Sequence, residues 1–529
     1  MSTGSHDTLP TGQPAVVRSS ALATQSWWWL LLGAGLLPFT MVQTVIPLAA
    51  WVAPVFLLRF ARTARRGGLA LLGIFAAYEL AAAIAARGSA TTSVEILVVS
   101  VLIYQVSRAV GCTLAYAADR FVGAQLPAWP RMLVFPATYT TMEWLLSLAQ
   151  APNTTGSIAY SQFSSLALLQ LLSLTGMWGV IFMVTWFASV SNLLWERGLE
   201  WRKAAGQASA YIVLLARVLL FGTIRLATSP APTNHVLVAA ITLDPAVQQA
   251  SETGIDWLAL GASPQGQRAV VAQRLRPIVD QLLDRTETAL QGVAKIVVWA
   301  EGSGTLLEED ESAVLAKVQT LAEAYGAYVE PALAVIRRTD TQYFMLNQAL
   351  LVDPRGQVLW TYEKTYPTEP VETYYTVAGN GVLPTAATPY GLISTAICND
   401  FHFPALIRQA GAQGVGLFLL PVNEVHPFEA EDQRGAAFRA IENGFSLVRP
   451  ADLGTSMIVD PYGRALARQY DRLAGGVLVG DVPAAGVQTV YARIGDAFAH
   501  LCAAAVVGLV LMAIFRRSRP VVASDPVAP

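Results

Sequence analysis

The sequence has few cysteines, few histidines and no excess of positive charge. Its three cysteines in 529 residues leave no framework of disulfide bonds to infer. The five histidines follow no His-Glu-x-x-His or Cys/His spacing, so we expect neither a metal nor a cofactor. The net charge of −2 lacks the basic excess of nucleic-acid-binding domains, and we expect no nucleic-acid partner. These absences exclude a disulfide-stapled domain and argue against zinc and nucleic-acid chemistry.

Charged residues are scarce as well, at 14% of the chain, against about 25% in a typical soluble domain. Hydrophobic residues make up 54%, and the mean hydropathy is +0.45. The apolar excess fills residues 27–227 and returns at 498–515, whereas the stretch between them has ordinary soluble composition. This distribution predicts a membrane protein that carries a soluble domain before its last span.

The apolar stretches are long enough for eight membrane-spanning helices of about 20 residues each. Residues 27–60 are too long for one crossing and are broken by prolines, so we expect two helices there. The other predicted spans are 69–86, 94–118, 132–150, 166–195, 207–227 and 498–515. Residues 1–26 are rich in Ser, Thr, Gly and Pro and are predicted to form a disordered cytoplasmic tail. A second cytoplasmic tail is predicted over 516–529.

Basic residues between the predicted spans indicate the orientation of the chain. If the N-terminus is cytoplasmic, the following clusters fall on the cytoplasmic side: Arg59, Arg62, Arg65 and Arg66; Arg120 and Arg131; Arg197, Arg202 and Lys203; Arg516, Arg517 and Arg519. Cytoplasmic loops are enriched in Lys and Arg. The pattern therefore predicts that residues 228–497 lie outside the cytoplasm.

Short apolar strands alternate with helices in the soluble part. Predicted strands are 235–243, 295–300, 327–336, 344–352, 358–364, 392–397, 415–420, 446–449 and 455–459; predicted helices are 265–291, 309–325, 404–409 and 430–443. This mixture is typical of an α/β domain with two sheets packed face to face and helices outside them, an αββα sandwich. The predicted fold class is thus a membrane α-helical bundle joined to such a domain.

Three chemically active side chains follow three predicted strands. Glu301 ends the stretch Ile-Val-Val-Trp-Ala-Glu, Lys364 ends a hairpin strand, and Cys398 ends an apolar run. In thiol-based acyl transfer a carboxylate takes the thiol proton, the thiolate attacks a carbonyl carbon, and an ammonium group steadies the oxyanion. Taken singly, each residue also fits a role outside catalysis. Glu301 could be a solvated loop charge, Lys364 the partner of Glu363 or Asp353, and Cys398 core packing.

Taken together and in this order, the three residues resemble the nitrilase, or carbon–nitrogen hydrolase, superfamily. Their separations are 364 − 301 = 63 and 398 − 364 = 34 residues, which are similar to those of that family. A domain placed between seven spans and one terminal span resembles the family's membrane-embedded branch, the apolipoprotein N-acyltransferases. The run Trp-Val-Ala-Pro-Val-Phe-Leu-Leu-Arg-Phe at 51–60 and Leu-Thr-Gly-Met-Trp-Gly at 174–179 also look like that branch.

The resemblance implies roles for individual residues. Glu301 would be the general base, Lys364 the residue that stabilises the oxyanion, and Cys398 the nucleophile. Glu372 matches a further active-site glutamate of the family. Asn399 and Asp400, where the family commonly has an aromatic residue and then Glu or Asp, would support the site.

The resemblance also implies a reaction at a bacterial inner membrane, with the catalytic domain on the periplasmic side. Cys398 would take an acyl chain from a membrane phospholipid as a thioester. The amine of a diacylglyceryl-cysteine at a lipoprotein's N-terminus would then take the chain. Two alternatives stay open: a membrane-anchored amidase in which water replaces the amine, and an inactive relative that only binds lipid or a partner.

Overall fold

The structure is a computed structural model that describes residues 17–85, 105–149, 153–230, 234–369, 372–424, 428–470 and 474–517. The N-terminal region is helical. Its helices are α1 (Val17–Leu36), α2 (Pro47–Thr63), α3 (Gly67–Ala85), α4 (Ser107–Phe121), α5 (Ala128–Ser147), α6 (Leu166–Leu169), α7 (Leu172–Thr175), α8 (Met177–Glu196) and α9 (Trp201–Ala227). Buried apolar side chains from α2 to α9 form one core.

Four helices of the described residues are long and apolar enough to cross a membrane. They cover Gly67–Ala85, Met177–Glu196, Arg202–Ala227 and Ala497–Arg517, and each coincides with one of the eight predicted spans. The other helices near predicted spans are shorter or more polar, and the predicted span 94–118 lies partly outside the described residues. A helical N-terminal region is therefore established, whereas the count of eight spans stays a prediction.

Two helix boundaries differ from the sequence prediction. α1 begins at Val17, so the predicted disordered tail is helical from residue 17 onward; residues 1–16 lie outside the described part. The predicted span 166–195 is broken into α6, α7 and α8. Gly176, between α7 and α8, has a φ of +64°, a conformation that glycine adopts at little cost. A side chain there would collide with the ring of Tyr491.

The second part of the chain begins with an eight-stranded sheet. Its strands are β1 (His235–Thr242), β2 (Ile296–Trp299), β3 (Gly304–Leu307), β4 (Tyr328–Glu330), β5 (Ala332–Ile336), β6 (Met345–Val352), β7 (Val358–Glu363) and β16 (Gly476–Pro483). They pair in the order β16-β1-β2-β4-β6-β5-β3, and β7 pairs with β6. Helices α10 (Pro245–Glu252), α11 (Trp257–Gly261), α12 (Gln265–Gln291) and α13 (Glu308–Tyr325) belong to this half. Apolar residues of α12 and α13 pack on the outer face of this sheet.

A six-stranded sheet packs against the first. It consists of β8 (Thr385–Thr388), β9 (Gly391–Thr395), β10 (Leu417–Leu419), β12 (Ser446–Arg449), β14 (Thr455–Val459) and β15 (Ala465–Tyr470), in the order β15-β14-β12-β10-β9-β8. The short strands β11 (Val422–Asn423) and β13 (Ala451–Asp452) pair beside it. Helices α14 (Pro404–Gln413) and α15 (Glu429–Asn443) contribute to the core of this half, which also holds residues from both sheets. The predicted αββα layering is thus the observed arrangement.

The chain leaves the sandwich beside the point where it enters. β1 pairs antiparallel with β16 along its whole length, from His235 opposite Pro483 to Thr242 opposite Gly476. After β16 come α16 (Val490–Ile494) and the apolar α17 (Ala497–Arg517). α15 and α16 also contribute buried side chains, among them Phe438, Ile441 and Tyr491, to the core of the helical region. The two parts of the molecule therefore share a buried interface.

Candidate active site

Three strand ends bring the predicted residues together at one end of the sandwich. Glu301 follows β2 and Lys364 follows β7, both in the first sheet, whereas Cys398 follows β9 in the second. Strands 296–299 and 391–395 are apolar or buried along most of their length, which fixes their register within the sandwich. The active groups therefore lie where the two sheets face each other.

Lys364 is enclosed by two carboxylates. Its side chain is 1% exposed, and Nζ donates to Glu301 Oε1 at 2.7 Å and to Glu372 Oε2 at 2.5 Å. Burial alone would lower the pKa of Lys364, but the negative charges of Glu301 and Glu372 raise it well above its usual range. Lys364 is therefore held as an ammonium ion. The alternative that made Glu301 a solvated loop charge is wrong, because Glu301 is buried. Lys364 pairs with Glu301 and Glu372, and not with Glu363 or Asp353 as the other alternative had it.

Glu372 has three donors around its carboxylate. In addition to Lys364, the backbone N–H of Thr368 donates to Oε2 at 2.7 Å, and Asn347 Nδ2 approaches Oε1 at 3.5 Å. Burial acts to raise the pKa of Glu372, yet the charge of Lys364 and the hydrogen bonds from Lys364 and Thr368 lower it below the usual value. The arrangement keeps Glu372 ionised beside the ammonium group.

Cys398 stands at the start of a 3₁₀ turn, Cys398–His402, with a φ of +44°. Such a φ is uncommon for a residue with a side chain and stores strain of about 1–3 kcal/mol. The half-buried thiol donates a hydrogen bond to the carbonyl oxygen of Asn423 at 3.7 Å. Burial, reinforced by the charge of Glu301, raises the pKa of the thiol well above its usual value, and Lys364 opposes that rise. The resting group is therefore a thiol with a carboxylate beside it.

Two asparagines orient Glu301 and were not foreseen. Asn347 Nδ2 donates to Glu301 Oε1 at 2.8 Å, and the backbone N–H of Asn423 donates to Oε2 at 2.9 Å. Asn347 lies next to Gln348 in the mostly apolar β6, and Asn423 ends β11. Each is a polar residue in or at the end of a strand, but this local signal does not show that the two residues meet Glu301.

Asp400 and Asn399 bind the Cys398 turn to the Lys364 loop. Asp400 is buried and accepts from Tyr362 Oη at 2.7 Å, from the Ile397 N–H at 3.1 Å and from the Tyr366 N–H at 2.8 Å. Burial raises the pKa of Asp400 to about 6 although these donors act to lower it. Asn399 Nδ2 donates to the Tyr366 carbonyl at 3.0 Å. Both side chains thus hold the two loops together.

A buried arginine adds positive charge close to the thiol. Arg449 is fully buried and pairs with Glu424, the residue after Asn423. Burial lowers the pKa of Arg449 to about 10, while Cys398 acts to raise it, so the guanidinium stays charged at neutral pH. This pair anchors the segment that carries Asn423. Nothing in the sequence pattern had marked it.

Comparisons with known proteins show what the chain is similar to. A family model described as carbon-nitrogen hydrolase matches residues 257–492. The apolipoprotein N-acyltransferase of Bradyrhizobium diazoefficiens is 27% identical over 73% of this chain and 74% of that protein. The same enzyme of Geobacter metallireducens is 24% identical over 73% of this chain and 75% of its own.

Among solved structures, an amidase from Nesterenkonia sp. is 20% identical, with a TM-score of 0.40, and covers 52% of this chain and 98% of the amidase. The family match and the similarity to the two acyltransferases support one assignment. Residues 257–492 thus form a carbon–nitrogen hydrolase domain, in a chain whose sequence is similar to the apolipoprotein N-acyltransferases.

Proposed function

We propose that this protein is a membrane N-acyltransferase that moves an acyl chain from a phospholipid, through a thioester on Cys398, to the N-terminal amine of a diacylglyceryl-cysteine lipoprotein. The observation that carries the proposal is the set of hydrogen bonds that brings Cys398, Glu301 and Lys364 together. Asn423 accepts from the Cys398 thiol at 3.7 Å and donates its N–H to Glu301 at 2.9 Å, and Lys364 donates to Glu301 at 2.7 Å. A base, a nucleophile and a fixed positive charge thereby meet around one point. The similarity to apolipoprotein N-acyltransferases supports the choice of substrates.

In the first half-reaction, Glu301 takes the thiol proton as the sulfur attacks the ester carbonyl carbon of the phospholipid. The ammonium group of Lys364 stabilises the oxyanion of the tetrahedral intermediate. The N–H of Asn399 is a second donor for that oxyanion, because first-turn N–H groups lack partners within a helix. Collapse of the intermediate breaks the ester C–O bond, and Glu301 returns its proton to the departing lysophospholipid alkoxide.

In the second half-reaction, the amine of the lipoprotein attacks the thioester carbonyl carbon. Glu301 accepts a proton from the amine, the C–S bond breaks, and the thiol is regenerated as the amide forms. The raised pKa of Lys364 suits a group that must remain an ammonium ion through both steps. Glu372 also accepts a hydrogen bond from Nζ of Lys364 and so helps to keep Lys364 an ammonium ion.

The proposed setting is a bacterial inner membrane, crossed by eight helices, with residues 228–497 on the periplasmic side. The four apolar helices long enough to cross a membrane support a membrane protein. The buried interface between α15 and the helical region would hold the catalytic end of the sandwich near the bilayer.

The test is intact-mass spectrometry of the detergent-solubilised full-length protein, first with phospholipid and then with a diacylated lipopeptide. We expect an acyl adduct that hydroxylamine removes and that disappears as the lipopeptide becomes N-acylated. Cys398→Ala should abolish the adduct, whereas the matched variant Cys502→Ala, which removes a thiol in α17, should keep it. An adduct that decays equally fast in water alone would instead identify a hydrolase. Absence of any adduct would reject the thioester mechanism.

A further inference from the structure

The 3₁₀ turn that begins at Cys398 ends at His402, whose side chain is buried between two parts of the molecule. On one side lie Thr154 and Thr155 of the helical region, and on the other lies Asp432 of α15. His402 is 4% exposed. Its imidazole therefore has only fixed protein groups as hydrogen-bond partners on these two sides, and the hydrogens of those groups can be counted.

The Nδ1 atom of His402 faces a hydroxyl that has no hydrogen left to give. Thr154 Oγ1 donates its single hydrogen to the His402 carbonyl oxygen at 2.9 Å, since a carbonyl can only accept. Thr154 Oγ1 in turn accepts a hydrogen bond from Tyr160 Oη at 2.8 Å. The contact between Thr154 Oγ1 and Nδ1, at 3.2 Å, is therefore a hydrogen bond only if Nδ1 carries a hydrogen.

The Nε2 atom also faces acceptors. Asp432 Oδ1 lies 3.2 Å away, and Thr155 Oγ1 lies 3.5 Å away. Thr155 donates its hydroxyl hydrogen to Asn153 Oδ1 at 2.8 Å, so it has none for the ring. Nε2 must then carry a hydrogen too, and an imidazole with two N–H groups is positively charged.

We infer that His402 is an imidazolium ion that positions the nucleophile, by tying the Cys398 turn both to Thr154 of the helical region and to Asp432 of α15. The inference rests on the proposed function in treating Cys398 as the nucleophile. The strained φ of Cys398 persists only where the surroundings impose it. Before the turn, the Cys398 N–H donates to the Pro421 carbonyl at 2.8 Å; at its other end, His402 supplies the anchor.

Other charged groups near this junction have their own partners. Glu431 of α15 accepts from the backbone N–H groups of Val42 and Gly156. Asp400 of the same turn accepts from Tyr362 and from backbone N–H groups of the Lys364 loop. Phe401 packs beside the His402 ring, with centroids 4.0 Å apart. Arg434 of α15 donates to the carbonyl oxygens of Val42 and Gln43 and also faces Asp432. Asp432 is the carboxylate that pairs with His402.

The protonation state is tested on the full-length protein labelled with ring-¹⁵N histidine, under the conditions of the acyl-transfer assay. We expect one histidine with both nitrogens protonated, and its signal should vanish in His402→Leu. His235 provides the matched control, because it also faces a carboxylate, Asp481 at 3.1 Å, but at an exposed site. An unprotonated nitrogen in the His402 signal would overturn the inference.

The positioning role is tested by the rate at which iodoacetamide alkylates Cys398, read by peptide mass spectrometry, together with kcat and KM for acyl transfer. We expect His402→Leu to lower kcat about 10- to 100-fold with little change in KM, and to change the alkylation rate severalfold. His402→Gln, which retains one donor, should recover part of both, and His235→Gln should match wild type. Wild-type alkylation and kcat in His402→Leu would refute the role. If the ¹⁵N and alkylation results hold in a protein without acyl transfer, only the proposed function fails.

Discussion

At the scale of single residues, the Cys398 thiol is governed by a balance of opposing charges. Glu301 and Glu372 disfavour the thiolate, and Lys364 favours it. The carboxylate that is proposed to remove the thiol proton is thus also one that raises the pKa of the thiol. Reactivity toward a small alkylating reagent and acyl transfer should therefore respond in opposite directions when this carboxylate is neutralised.

Glu301→Gln removes a negative charge from beside the sulfur, so the pKa of Cys398 should fall. We expect the pH midpoint of its alkylation by iodoacetamide to move downward, while acyl transfer drops by about 10²- to 10⁴-fold through loss of the general base. Peptide mass spectrometry across a pH series gives the midpoint. Glu363→Gln, next to Lys364 in the chain, is the matched control and should leave both quantities unchanged. A midpoint that stays or rises in Glu301→Gln would contradict this account of the site.

Glu330 is a fully buried carboxyl group outside the proposed mechanism. It accepts from Thr395 Oγ1 at 3.0 Å, and burial raises its pKa to about 8. Between the pKa of an unfolded glutamate, about 4.3, and about 8, the folded state keeps a proton that the unfolded state has released. Stability therefore falls as pH rises through this range.

Replacing this group by a neutral isostere should remove that pH dependence. We expect Glu330→Gln to be more stable than wild type near pH 8 and about equal to it near pH 4, because each unit of pKa difference corresponds to about 1.4 kcal/mol. Thermal unfolding over a pH series measures the difference. Glu287→Gln, at an exposed glutamate, should follow the wild-type curve. Parallel curves for Glu330→Gln and wild type would show that Glu330 is ionised in the fold.

The sequence indicated which residues end buried strands but not which of them meet. Glu301, Lys364 and Cys398 could be predicted because each follows an apolar strand and the three together match a family pattern. Asn347, Asn423 and Arg449 contact the same site from other strands, and their proximity depends on the pairing of two sheets. Such long-range pairing leaves no local trace in a single sequence.

At the scale of elements, the close approach of α9 to α6 depends on one glycine. A Cβ atom on Gly222 would collide with the backbone oxygen of Ala167. Because the contacted atom is backbone, the two helices would have to separate to make room. Gly35 in α1 offers a contrast, since no atom lies within 4 Å of the position its Cβ would take.

These two glycines form a matched pair for mutation. Alanine favours a helix over glycine by about 1 kcal/mol, and both substitutions gain that preference. We expect Gly222→Ala nevertheless to destabilise the protein, since overpacking costs about 1–3 kcal/mol or more, whereas Gly35→Ala should be neutral or stabilising. Thermal unfolding of the detergent-solubilised protein compares them. Equal melting temperatures would mean that α9 does not depend on this contact.

Several elements were predicted closely, and the exceptions have physical causes. The predicted strand 327–336 is divided into β4 and β5 at Pro331, since proline cannot donate to a strand ladder. β15 escaped prediction because Ala-Leu-Ala-Arg-Gln-Tyr is mostly exposed and carries no regular alternation of apolar residues. It is a strand because it pairs with β14. Tertiary pairing, not local pattern, determines such edge strands.

At the scale of the whole molecule, α15 joins the sandwich to the helical region through carboxylates that bind backbone N–H groups. Glu431 accepts from Val42 at 2.9 Å and from Gly156. Glu442 accepts from Met177 at 2.7 Å. Val42 has a φ of +56°, which is costly for a β-branched residue. These contacts between α15 and the helical region, called the joint below, therefore hold a strained turn of the helical region in place.

Glu431→Gln should loosen this joint. The amide oxygen of glutamine can accept a hydrogen bond from one of the two backbone N–H groups, whereas the amide NH₂ group would repel the other N–H. We expect faster amide hydrogen exchange in the segments around residues 42 and 156, without a change in α12 on the far side of the sandwich. Hydrogen exchange with mass spectrometry of the full-length protein measures both. Asp481→Asn, at an exposed carboxylate, is the control. Unchanged exchange at residues 42 and 156 would show that other contacts hold the joint.

The pairing of β1 with β16 also sets an order of events during synthesis. β1 leaves the ribosome about 250 residues before its partner, which at about 5–20 residues per second corresponds to roughly 12–50 s. Throughout that interval one edge of β1 has unpaired backbone groups, which invite association with other chains. The nascent domain is therefore prone to aggregation until residues 476–483 have been synthesised.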